Sequence, residues 1–180
     1  MSAARLALAS GRPDDAVGEL APLARAPDAS APLLALYARA LLATGRVAAA
    51  ADAYSASIER DASLPEALIG RAQMAVRSRR PTDAMRILSR IDTGSLRPDL
   101  VTQVEFLRGR AQLMAEQRAE ARRTLARVVQ RPGAPAAAYF FLAEAHTGHD
   151  YRAARQAYER YLELEPEGYY VRRARRALGE

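Results

Sequence analysis

The 180-residue sequence contains no Cys, Lys, Asn or Trp, and its aromatic residues amount to only 6%. Without Cys there can be no disulfide framework, thiolate metal site or Cys nucleophile, and the redox compartment stays open. Long hydrophobic runs are also missing. No stretch approaches the roughly 18–20 apolar residues of a membrane span, and the N-terminus lacks a basic segment followed by an apolar core. The β-branched runs between turn residues that mark strands are scarce, whereas Ala and Leu dominate the apolar half of the composition; this favours helix. All 27 basic residues are Arg, a bias in keeping with a GC-rich bacterial genome. The net charge of +6 is unevenly spread: residues 1–60 carry six Arg against six acids, and residues 61–180 carry 21 Arg against 15. The later two-thirds of the chain therefore favours an acidic partner over a basic one.

Laid against itself, the chain repeats. Small residues at Ala4, Ala38, Ala72, Gly109 and Ala143 recur at intervals close to 34, as do Ala16, Ala50, Ala84, Ala121 and Ala154. Four residues beyond each of the second set stands a large side chain: Leu20, Tyr54, Leu88, Leu125 and Tyr158. Three series with one period are the mark of a repeat architecture. Two helices cross closely only where a small side chain lets the backbones approach, and a large residue one turn later fills the space beside the contact. The first small residue thus belongs to helix A of a hairpin and the second to helix B. Turn signals lie between them at Gly11-Arg12-Pro13, Thr44-Gly45-Arg46, Arg80-Pro81-Thr82 and Gly148-His149-Asp150.

The pattern resembles the tetratricopeptide repeat (TPR) family. It is clearest from Tyr37-Ala38 through Gly45, Ala50 and Tyr54 to Ile58 and Asp61, and again from Leu142-Ala143 through Tyr151, Ala154 and Tyr158 to Pro166. Ala62 stands where the family's helix-ending Pro is usual, and Arg71 and Arg108 stand where it usually has apolar residues. The resemblance implies an all-α fold, a right-handed superhelical solenoid of about five helical hairpins at residues 1–28, 31–61, 65–92, 99–131 and 135–165. A capping helix follows at about 167–179, with Tyr169, Tyr170, Val171, Ala174 and Leu178 docking on the last hairpin. The expectation is a single repeat domain over residues 1–180. Its first helix is short and reads as a face that something else covers.

In the family, helix A lines the concave surface. This implies a partner-binding groove containing Arg5, Arg39, Gln73, Arg110 and Glu144, one position beyond each small residue of helix A. Apolar bands come from Phe106 and Phe140 four residues earlier, whose alternative place is the core between adjacent hairpins, and from Leu42 and Leu113 later, with Arg77 beside them. A bound segment would bury apolar side chains on the bands while its carboxylates meet guanidinium groups. The family's chaperone-tail clamp uses Lys and Asn, both missing here, so it is not expected.

The function expected is therefore a protein-interaction scaffold or adaptor that binds a protein or peptide with acidic and apolar side chains. The alternative is a structural spacer that self-associates through its open N-terminal hairpin. Nucleic-acid binding through the Arg-rich later portion is a weaker third reading, because acids interleave the Arg nearly everywhere before Arg172-Arg173-Ala174-Arg175-Arg176. No phosphate loop, Ser elbow or His-carboxylate metal motif is present, so neither an enzyme nor a cofactor is expected. His146 and His149 are two ligands at most and read as helix-end and turn residues, not a metal site.

Overall fold

The computed structural model describes residues 2–180 and, among these, eleven α-helices and no strand. They are α1 (Ser2–Ala9), α2 (Pro13–Ala24), α3 (Ala31–Ala43), α4 (Val47–Arg60), α5 (Pro65–Arg77), α6 (Pro81–Leu88), α7 (Pro98–Met114), α8 (Arg118–Val129), α9 (Ala137–His146), α10 (Tyr151–Leu164) and α11 (Val171–Leu178). A single 3₁₀ turn, Thr93–Ser95, lies in the longer connector before α7. There the Asp92 side chain accepts from the Gly94 N–H. Pro13, Pro65, Pro81 and Pro98 each open a helix at its first position, where a missing N–H leaves no hydrogen bond unmade.

The chain divides into two compact units. The first runs to Arg77 and includes Ile87–Ile91; the second comprises Ser78–Arg86 and Asp92–Glu180. Within the first, α3 packs on α2, α4 and α5, and within the second, α9 packs on α7, α8 and α10. Each is a stack of antiparallel helix pairs.

The three repeat series are the core of both units. Ala4, Ala38, Ala72 and Ala143 are fully buried, as are Ala16, Ala50, Ala84 and Ala121, while Leu20, Leu88 and Leu125 expose nothing and Tyr54 and Tyr158 almost nothing. Two close approaches show why small residues are required. A Cβ on Gly70 would lie 2.1 Å from the Tyr54 ring, and one on Gly109 would lie 2.6 Å from Leu125 Cγ.

The turn inside each hairpin has a common geometry. Gly11, Gly45, Arg79, Glu116 and Gly148 occupy it in succession, all with φ between 55° and 79°. In three hairpins a bond closes back five residues: Arg12 N–H to Ala7 C=O, Arg46 N–H to Leu41 C=O and Gln117 N–H to Gln112 C=O, each 2.9 Å. This is the Schellman arrangement, which satisfies the last carbonyls of helix A by means of one left-handed residue. Arg79 and Glu116 hold that conformation with a Cβ.

Arginines tie consecutive hairpins together. Arg60 donates to the carbonyls of Ala29 (2.8 Å) and Pro27 (2.7 Å). Arg90 does likewise to Ala62 (2.8 Å). The buried Ser57 hydroxyl donates to the Ala31 carbonyl at 2.8 Å.

The final helix begins later than the sequence reading placed it. Residues 167–170 form turns, and the Tyr170 N–H donates to the Tyr161 hydroxyl at 3.0 Å. Val171 and Ala174 are buried against the last hairpin and Leu178 is half-buried. Tyr169, expected to dock, is 92% exposed, because the turn directs Tyr170 inward instead.

Candidate functional site

In the first unit, Arg5, Arg39, Gln73 and Arg77 are exposed on helix A faces, as the spacing implies. Leu42 is not available to a partner: it is 8% exposed and belongs to the core. Helix α3 has neighbours on three sides, so seven of its other residues between Ala31 and Leu41 are buried as well. Ile69 and Val76 of α5 are likewise buried. Leu6 of α1 apart, which is 63% exposed, most of the large apolar side chains on the helix A faces of this unit are taken inward by packing, and Arg5, Arg39, Gln73 and Arg77 are left at the surface.

The second unit differs. Phe106, Arg110 and Leu113 of α7 are all half-exposed. Phe140, expected beside them, is 0% exposed and sits at the centre of an aromatic cluster. Its ring stacks on Tyr170 at 4.3 Å and meets Tyr158 at 5.8 Å and Tyr161 at 5.6 Å. The ring presented at the surface is its neighbour Phe141, which the spacing did not single out. Phe141 lies 5.9 Å from Phe106 and 5.1 Å from Tyr170. The Arg110 guanidinium lies over both phenylalanines, 4.7 Å from the Phe141 centroid and 5.6 Å from that of Phe106. Such a cation on an aromatic floor is held in place by about 0.5–2 kcal/mol.

Glu144 serves the fold. Its side chain is 18% exposed, and its two oxygens are occupied by the Tyr158 hydroxyl and by Arg173 of α11. Burial and then the hydrogen bond to this carboxylate push the Tyr158 hydroxyl up to about 12. A buried carboxylate of the second unit, Glu105, is similarly held between Arg108 and Arg127. That pairing explains how Arg108 is accommodated where an apolar residue is usual.

Arg118 and Arg122 of α8 donate to the carbonyls of Glu144 (2.9 Å) and Ala145 (3.2 Å) at the end of α9. Arg122 is therefore a helix cap, whereas Arg123 is exposed. His146 closes α9 and His149 lies in the following turn. Burial, followed by the nearby Arg122, holds the His146 imidazole below its ordinary pKa. Among the described residues no group of three or more His, Asp or Glu is placed to hold a metal ion. Nor is any helix among them long and apolar enough to cross a membrane.

Comparison with known proteins places this geometry. No curated protein sequence matches the chain. Several solved structures share its fold. One, described as a thermophilic TPR protein, TTC0263, from Thermus thermophilus, matches with a TM-score of 0.74 at 18% identity over 100% of this chain and 97% of that one. PilF of Pseudomonas aeruginosa gives 0.75 at 17% identity, covering 90% of this chain and 73% of that one. MamA (41-end) of Desulfovibrio magneticus RS-1 gives 0.71 at 16% identity over 93% and 94%. At such identities the likeness concerns the fold alone. The tetratricopeptide repeat family model matches residues 1–65 and 38–95, together 1–95 and so just over half of the 180 residues. With the five buried repeats described above, this establishes that the chain belongs to the tetratricopeptide repeat family, whose members are in general non-catalytic scaffolds that bind other proteins.

Proposed function

We propose that this protein is an adaptor whose helix A faces bind a segment of a partner protein, with the main contact on α7 and α9 of the second unit. The observation that carries the reading is Arg110 lying over the half-exposed rings of Phe106 and Phe141, with Leu113 a turn further along. Aromatic residues and Arg are the side chains that most often dominate protein interfaces. An apolar side chain of the partner would rest on the rings and an Asp or Glu would meet the guanidinium. On the first unit, Arg5, Arg39, Gln73 and Arg77 offer a polar contact of smaller weight.

The test is recovery of partners from the source cell with the chain as bait, using single charge reversals in each unit. Arg110→Glu should sharply reduce recovery of the partner, Arg39→Glu should reduce it less, and Arg123→Glu on α8 should leave it nearly unchanged. Helicity measured by circular dichroism should stay near wild type in all three, the exposed Arg39 and Arg123 altering stability by less than about 0.5 kcal/mol and Arg110→Glu by no more than the about 0.5–2 kcal/mol of its contact with the rings. Equal losses from Arg110→Glu and Arg123→Glu would replace the groove reading by diffuse electrostatics. An oligomer that resists dilution, seen by light scattering and unaffected by Arg110→Glu, would favour the self-associating spacer.

A further inference from the structure

The second unit contains another concavity, of different chemistry. The end of α9, the turn after it, the start of α10 and the last two turns of α11 enclose an open pocket of about 840 Å³. Arg118, Arg155, Arg173 and Arg176 line it, against one carboxylate, Glu144. Four guanidinium charges thus face a single carboxylate. Glu144 has little left to offer a ligand, since Tyr158 and Arg173 already occupy its oxygens.

Arg155 and Arg176 can accept a ligand at little cost, and Arg118 can do so through the N–H groups that its hydrogen bond to the Glu144 carbonyl leaves unused. Arg176 has no carboxylate within 4.0 Å among the described residues. Arg118 and Arg155 face the exposed Glu116 (3.4 Å) and Glu159 (2.8 Å). Surface pairs of that kind contribute little and exchange readily. One wall is apolar: Tyr151, 70% exposed, stands with Ala177 and Leu178. Neither Arg110 nor Phe106 reaches this pocket.

A volume of this size lies within the range of ligand sites and takes several side chains at once. Guanidinium forks bind carboxylates through two parallel hydrogen bonds. Single-stranded nucleic acid requires a charged track with successive stacking rings, and here Tyr151 is the one strongly exposed ring in a closed cluster of charge. We infer that this pocket is a second docking site, for an acidic segment of a protein: two or more carboxylates engage Arg118, Arg155 and Arg176 while an apolar side chain rests on Tyr151 and Leu178.

The experiment uses the full chain and a short fluorescein-labelled peptide alternating Glu and Leu, followed by fluorescence anisotropy. A Lys–Leu peptide and a mixed-sequence oligonucleotide serve as controls. The Glu–Leu peptide should bind, and Arg155→Glu with Arg176→Glu should weaken it by roughly tenfold or more. Arg155→Gln with Arg176→Gln should cause a smaller loss, with circular dichroism unchanged in both. A photoreactive p-benzoylphenylalanine replacing Tyr151 should crosslink the peptide. Neither Arg110 nor Phe106 lines this pocket, so the crosslink from position 151 and its loss in the Arg155 and Arg176 variants report it alone, and failure here and failure of the groove on α7 and α9 are read separately. Unchanged affinity in the double variants, no crosslink from position 151, or equal binding of the Lys–Leu peptide would each overturn the proposal. So would displacement of the Glu–Leu peptide by the oligonucleotide with the same dependence on Arg155 and Arg176.

Discussion

The two units share one repeat and fill it differently. In the first, the core is chiefly Ala and Leu, with Tyr54 the largest side chain buried in it, so helices approach closely and no aromatic cluster reaches the surface. In the second, all three Phe and six of the eight Tyr are gathered after Asp92. Phe140, Tyr158 and Tyr161 form the buried centre, and Phe106 and Phe141 spill onto the surface. An alanine interface buries little area per residue and tolerates no growth, whereas an aromatic one contributes more area and fails when it is hollowed. The same repeat can therefore serve as a rigid spacer or as a recognition surface.

Opposite substitutions should expose that contrast most strongly. Phe140→Ala should cost about 3–5 kcal/mol, since the ring is fully buried among four aromatic partners. In the first unit Ala50→Leu should cost roughly 1–3 kcal/mol by overpacking the α3–α4 crossing. Chemical denaturation of each variant measures both. If Ala50→Leu costs only a few tenths, the first unit has room that its fully buried Ala50 denies.

A smaller effect of opposite sign should appear at the turns. Arg79 and Glu116 occupy the left-handed conformation that Gly occupies in the other three hairpins. Replacing either by Gly relieves about 1–2 kcal/mol of backbone strain and returns about 0.5–1 kcal/mol in unfolded-state entropy. A net gain of about 0.5 kcal/mol is expected, visible as a small rise in Tm, whereas Gly45→Ala should lower it.

The smallest effect concerns pH and belongs to the second unit. The folded-state pKa of His146 is depressed below its ordinary 6.5. The unfolded chain therefore binds the proton first, and stability is fully present above the unfolded value and is lost as pH falls from about 6.5 through the folded pKa. Melting curves across that window should show the decline, and His146→Gln should flatten it. A pH dependence unchanged by that substitution would assign the decline to other groups.

The helical hairpins were legible because their signal is steric: only a small residue fits a close crossing, and it must recur each time the crossing does. The buried small residues and their large neighbours recur along the helices with the spacing read from the sequence. The site was legible only in part. A 3.6-residue period separates one face of a helix from the other, but α3 is covered on three sides, so Leu42 turns inward with most of its helix. Phe140 and Phe141 are adjacent, and which ring faces the core depends on Tyr170, thirty residues away, entering to stack on the first. Glu144 stood at a groove position, yet its role was decided by Tyr158 and Arg173 on two other helices. The left-handed turns at Arg79 and Glu116 carry no glycine signal, although their place midway between helices A and B repeats that of Gly11 and Gly45.

Within each unit, every pair of helices in substantial contact is adjacent or next but one along the chain. Order can therefore begin in any hairpin and spread by closing short loops, with no long-range pairing required at the start. Chains of such low contact order commonly fold within roughly microseconds to milliseconds. The same economy makes unfolding gradual, since a terminal helix can detach and return while its neighbours hold. For α11, which closes over the acidic-segment pocket, detachment is also a route by which a long partner segment enters without threading.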